Sequence, residues 1–194
     1  KARIMEDRCI DCGECIRVCP KYAKIAITQP LEVIRKFRYP VALVSPSLYG
    51  QFPLNIDIDT ILSGFLELGF KRVIEVARGA EYMGHFINEY LKNVPGPRPV
   101  ISSVCPAVTR LIRVRFPELA EHVLPIAQPM EIMGKLVRDR MNREGYPPGE
   151  VGIFYISPCT ANVTASRNPI GFDSREIDGA IAISEIFWPL YNIV

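Results

Sequence analysis

Cysteine is the residue type through which this chain could do chemistry, and it has six. Four stand together in CIDCGECIRVCP, at Cys9, Cys12, Cys15 and Cys19. The gaps read C-x2-C-x2-C-x3-C-P, a spacing that suits a [4Fe–4S] cube: two-residue gaps let a tight loop set three thiolates around one cube face. Gly13 gives the backbone freedom for that loop, and Pro20 ends it. A zinc site or a redox dithiol are the competing readings, but zinc motifs normally come as two separated pairs. The remaining cysteines are Cys105 in SSVCPAV and Cys159 in ISPCTAN, each beside a proline. Isolated cysteines in a large chain usually serve as small hydrophobic core residues, so their setting must decide.

In two-cluster ferredoxins the fourth cysteine of such a run ligates the other cluster. Cys9, Cys12 and Cys15 are then expected to hold one cube while Cys19 reaches for another, whose own run is expected upstream of Lys1. The first residue is a lysine and the chain stops abruptly at FWPLYNIV, which reads as a piece of a longer polypeptide. Clustered thiolates without a secretion signal predict a reducing, cytoplasmic setting.

The composition fits a globular core, with 48% hydrophobic and 23% charged residues. A net charge of +2 with mixed signs leaves no basic field to attract nucleic acid. No apolar run reaches the roughly 20 residues that a bilayer crossing requires, so no membrane span is expected.

The elements that must position these cysteines alternate between strand and helix. YPVALVSP, KRVIEVA, PVISS, VGIFYIS and DGAIAIS read as short strands. In DIDTILSGFLELGF, Ile58, Ile61, Leu62, Phe65 and Leu66 fall at helical spacing, with Asp57 or Asp59 to cap and Gly69 to stop. Met83, Phe86, Ile87, Tyr90 and Leu91 mark a second helix, and further helices follow around Val108–Val114 and Met130–Met141. Units of this kind predict an α/β fold with a mostly parallel sheet and flanking helices, preceded by a small iron–sulfur domain. Cys105 and Cys159 then lie just after two of the strands, at the carboxyl edge where open α/β sheets bind ligands. His85 and His122 have no partner at ligand spacing and read as surface or core residues. The run RLIRVR reads as a solvated helix face.

On these signatures the chain from Tyr39 onward resembles the catalytic domain of [FeFe]-hydrogenases, with residues 1–38 as a ferredoxin-like 4Fe–4S domain and 39–194 as an incomplete hydrogenase-like domain. SSVCP occupies the family's T-S-C-C-P, SPCTAN its M-P-C-T-x-K, and PMEIMGKLV its S-P-x-x-M-x-G. The third signature, E-x-x-x-C-x-x-x-C, would fall past Val194. The resemblance implies that Cys105 and Cys159 are two ligands of a cubane completed by those later cysteines, one of which also bridges to a diiron centre carrying CO and cyanide.

The same resemblance marks departures. Val104 stands where the family has the cysteine that delivers protons. Gln128 replaces a serine and Arg78 a glutamate of the proton path, although Glu81 remains. Ser157 replaces a methionine, and Asn162 the lysine that contacts a cyanide. The expected function is an iron–sulfur protein that keeps the cubane, has lost or weakened the diiron chemistry, and transfers or senses electrons. A slow but active hydrogenase and a plain ferredoxin-type carrier with a partner-binding α/β body are the alternatives. Expected partners are a redox protein such as ferredoxin, or further clusters and signalling modules of the same polypeptide.

Overall fold

Four strands run parallel through the middle of the chain: β1 (Tyr39–Val44), β2 (Arg72–Glu75), β3 (Val151–Ser157) and β4 (Gly179–Ala182), in spatial order β2-β1-β3-β4. The computed structural model describes residues 3–170 and 176–194. Every residue of β3 is buried, as are all of β1 beyond Tyr39. Their near-continuous apolar sequences follow from that, because a parallel sheet is covered on both faces. Alternate residues feed two cores. Val41, Leu43, Ile153 and Tyr155 point to one, while Ala42, Val44, Phe154 and Ile156 point to the other.

Helices α2 (Ile58–Glu67) and α7 (Ile183–Tyr191) cover the second core; α5 (Pro129–Arg143) and α6 (Thr160–Arg167) cover the first. The predicted cap of α2 is present: Asp57 accepts the Thr60 N–H at 2.8 Å, and Gly69 closes the far end at φ 107°. Helices α3 (Ala77–Asn93) and α4 (Pro106–Arg115) complete the long passage from β2 to β3. No helix among the described residues is long and apolar enough to cross a membrane.

Phe154 anchors the second core. It is fully buried and meets Phe37 edge-on, with ring centroids 5.5 Å apart. Phe154→Ala is expected to lower the unfolding free energy by about 3–5 kcal/mol, measured by chemical denaturation.

PVISS, expected as a strand, is not part of the sheet. Ile101 makes only an isolated parallel bridge to Val123. Pro99 and Ser102 are exposed and Val100, Ile101 and Ser103 only half-buried, so this stretch has no fully buried face. Pro95, Pro97 and Pro99 also remove backbone donors that a ladder would need.

The strand order fixes where the chain opens. From β1 the chain turns outward to β2, and from β3 it turns the opposite way to β4, so the switch point lies between the carboxyl ends of β1 and β3. Residues just before β1 close one border of the sheet. Gln29 N–H donates to the Ala180 carbonyl at 3.3 Å, and the Thr28 hydroxyl accepts the Ala182 N–H at 2.9 Å. Gly179 permits this, since a Cβ there would strike the Gln29 amide.

Candidate metal centre

The N-terminal cysteines lie on a loop whose turn is made by Asp11 at φ 55° and Gly13 at φ 79°, followed by the short helix α1 (Glu14–Arg17). Cys9, Cys12 and Cys15 line one cavity of about 580 Å³, together with apolar side chains including Ile10, Ile16 and Ile25. Cys19 is not among its walls; its sulfur accepts the Ala23 N–H at 3.4 Å. Backbone donors, Ala23 first and then Lys21, hold the Cys19 thiol below its usual range. At Cys9 the Asp11 amide favours the thiolate, but burial and the Asp11 carboxylate outweigh it and the net shift is upward. Among the described residues no three His, Cys, Asp or Glu side chains gather at the spacing of a single metal ion.

Asp11 joins this loop to the body of the protein. Its carboxylate pairs with Arg110 of α4 at 2.8 Å, both side chains being mostly covered. Its carbonyl accepts the Thr160 hydroxyl at 3.2 Å, from the first residue of α6. Gly13 lies so close to Thr160 that a Cβ would collide with the threonine hydroxyl. Here RLIRVR is only in part the solvated face expected of it. Arg113 and Arg115 are exposed, but Arg110 turns inward to a carboxylate roughly a hundred residues away, and its Nε is buried without a partner. A double-mutant cycle on Asp11→Asn and Arg110→Met should give a coupling of about 1 kcal/mol in the opening free energy of the loop, read by amide hydrogen exchange.

Cys105 and Cys159 hold equivalent places on two helices that pack together. Each is the N-cap residue, Cys105 of α4 and Cys159 of α6. Neither N-cap contributes a side-chain cap hydrogen bond. Cys159 follows β3 directly at the switch point, as the sequence suggested; Cys105, lacking a preceding strand, reaches its place through α4. The turn into Cys159 is braced by Ser157, whose hydroxyl donates to the Cys159 carbonyl and accepts the Cys159 N–H, each at 3.1 Å.

Beside this turn lies a polar group that sequence reasoning missed. Burial raises the Tyr155 hydroxyl above its usual range; contacts with Ser45 and Asn162 pull the other way, and charge on Cys159 adds to the rise. The Ser45 and Ser47 hydroxyls hydrogen-bond at 2.8 Å on the neighbouring strand's exit. Ser157, Cys159 and Asn162 are thus gathered in one place. The residues next to Arg78 and Gln128 meet, Gly79 of α3 lying against the Pro129 carbonyl at the start of α5, while the Arg78 side chain itself lines the groove beside β2. Val104 is 38% exposed, its N–H donating to the Ser102 hydroxyl at 3.4 Å. Gln128 Oε1 is buried without a hydrogen-bond partner.

Comparison with known proteins matches residues 38–189 to the model of the iron only hydrogenase large subunit, C-terminal domain, and residues 1–25 to a 4Fe–4S binding domain. The NADP-reducing hydrogenase subunit HndD of Solidesulfovibrio fructosivorans is 22% identical over 182 residues, covering 83% of this chain and 31% of that protein. A structure of HydA reporting stepwise [FeFe]-hydrogenase H-cluster assembly is 20% identical, with a TM-score of 0.62 over 80% of this chain and 42% of that one. A variant of the [FeFe]-hydrogenase HydA1 from Chlamydomonas reinhardtii is 21% identical with the same TM-score and coverage. At such identities the structural likeness speaks for the fold. The chain spans about a third of the curated relative and two-fifths of the solved ones.

Proposed function

Because the chain belongs to the family of the iron only hydrogenase large subunit, C-terminal domain, with a 4Fe–4S binding segment before it, we propose that it transfers electrons between iron–sulfur sites and turns over dihydrogen poorly or not at all. Cys9, Cys12 and Cys15 would hold one [4Fe–4S] cube, and Cys19, outside their cavity, would serve a second ferredoxin-type cube. Cys105 and Cys159 would supply two ligands of a cubane in the hydrogenase-like fold, the others coming from the family's third signature. The donor set fits: three thiols share one cavity whose walls are mostly apolar but include Arg8, Asp11, Lys24 and Arg167, and two more head adjacent helices. Such cubes supply one-electron storage, at potentials set by nearby hydrogen bonds and exposure.

The observation that carries this reading is the double hold on Asp11. Arg110 stands five residues after Cys105 on α4, and Thr160 immediately follows Cys159. By gripping the same aspartate they fix the N-terminal loop against both helices whose first ends bear cysteines. Apolar side chains such as Ile10, Ile16 and Ile25 stand beside Cys9, Cys12 and Cys15, two of which, Cys12 and Cys15, remain exposed. The natural electron partner on this reading is a ferredoxin-like protein, or further redox or signalling modules of the same polypeptide, in a reducing cytoplasm.

The test is reconstitution with iron and sulfide in a polypeptide that carries the third signature. Cys12→Ser should remove one electron paramagnetic resonance signal, and Cys105→Ser together with Cys159→Ser should remove another while sparing the first. Loss of a single common signal in both variants, or no loss in the second, would refute the assignment.

A further inference from the structure

We propose that the free border of β2 is a docking site for an extended acidic segment of another protein, which adds to the sheet as a further strand. The two borders of the sheet are treated differently. Thr28 and Gln29 already lie along β4 and bond to Ala180 and Ala182. Strand β2 pairs with β1 alone, and among the described residues no backbone hydrogen bond reaches its outer border, although the side chains of Arg72 and Glu75 bond to Glu144 and Tyr49. In a parallel ladder every second residue of an edge strand turns its N–H and C=O outward, where another strand can pair with them.

A groove of about 820 Å³ runs along that border, with α2 on one side and α5 on the other. Leu66 and Leu136, both more than one-third exposed, offer apolar contact from opposite walls. Arg72, Arg78, Arg140 and Arg143 also line it. Arg72 and Arg140 share Glu144, and Asp59 lies at the rim. Four arginines against these two carboxylates leave the groove with a charge of +2, and among the described residues Arg78 makes no ion pair. Arg78 therefore belongs to this basic groove, which gives a physical role to a position where the family has a glutamate. An open strand border supplies affinity through main-chain bonds, and its flanking pockets select alternate side chains. Here the selection is for carboxylates, since arginine matches them as a two-pronged donor.

The probe is a labelled, end-blocked six-residue peptide alternating valine and glutamate, followed by fluorescence anisotropy with the whole chain. Saturable binding is expected, at least about 10-fold weaker when lysine replaces glutamate. Methylating alternate backbone amides of the peptide should abolish binding in one register and spare it in the other, because only one set faces β2. The Arg78→Glu, Arg143→Glu double variant should bind about 10-fold less tightly while keeping its thermal midpoint. Equal binding of both methylated peptides, equal binding of the lysine peptide, or no binding at all overturns the proposal. Displacement by an equal concentration of sulfate would mean that the arginines hold a simple anion, which also overturns it. If the arginine variant fails to fold, the two methylated peptides still decide.

Discussion

Gly13→Ala should strip the N-terminal site of its iron while leaving the sheet folded. Gly13 sits at φ 79°, a left-handed conformation that costs an L-residue roughly 1–2 kcal/mol. The second cost is steric. The new methyl would meet the Thr160 hydroxyl, which is held in place by its bond to the Asp11 carbonyl. Neither side can yield cheaply, because Thr160 opens α6 and Asp11 is also tied to Arg110. The loop must lift off its seat on α6, and Cys9, Cys12 and Cys15 lose the arrangement of their shared cavity. Iron and sulfide content should fall by one cluster's worth, with the corresponding paramagnetic signal lost and the far-ultraviolet circular dichroism unchanged. Gly50→Ala is the matched control, since its φ is ordinary and nothing lies within 4 Å of the added carbon. Full iron content in Gly13→Ala would show that the loop does not depend on its seat against α6.

Much of the sheet was legible because its signals are local. Val41–Val44 and Val151–Ile156 are apolar runs that only a sheet covered on both faces needs, and Asp57 and Gly69 punctuate α2 as their chemistry requires. PVISS misled because its β-branched residues resemble a strand, whereas strand formation depends on a buried face that the sequence cannot display. The cysteine spacing was likewise legible, being set by the loop. What holds that loop was not. Asp11 lies between two cysteines and looks like a turn residue, and Arg110 sits in a run of arginines that looks solvated. Their pairing spans 99 residues and exists only once α4 and α6 stand side by side. Tyr155 was hidden for the opposite reason. In VGIFYIS it reads as one more core residue, and only the fold reveals that its hydroxyl meets Ser45 and Asn162 at the switch point.

Dihydrogen evolution by the unaltered protein, in a polypeptide supplying the third signature, should run well below that of ordinary family members. The argument turns on which groups can pass a proton. A positioned acid or base contributes about 10²–10⁴-fold, provided its proton can be renewed from solvent. Val104 has no proton to give, and the guanidinium of Arg78 offers donors but no acceptor through which a proton could be renewed. Gln128 could act only through an unfavourable amide tautomer, and its Oε1 is buried with no partner to receive a proton from. Asn162 withholds a positive charge that would steady anionic diiron ligands, so occupancy should suffer along with turnover. Groups acting in series are strongly non-additive. Val104→Cys alone should therefore raise the rate by no more than about 10-fold, since the thiol would have no onward donor. Combined with Gln128→Ser and Arg78→Glu it should gain about 10²–10⁴-fold over the unaltered chain. Infrared bands of CO and cyanide must be present in each preparation, so that a missing diiron centre is not mistaken for a missing proton. Family-level rates in the unaltered protein would refute the reading. With those bands present, no gain in the triple variant would mean that protons arrive by a route independent of Arg78, Val104 and Gln128.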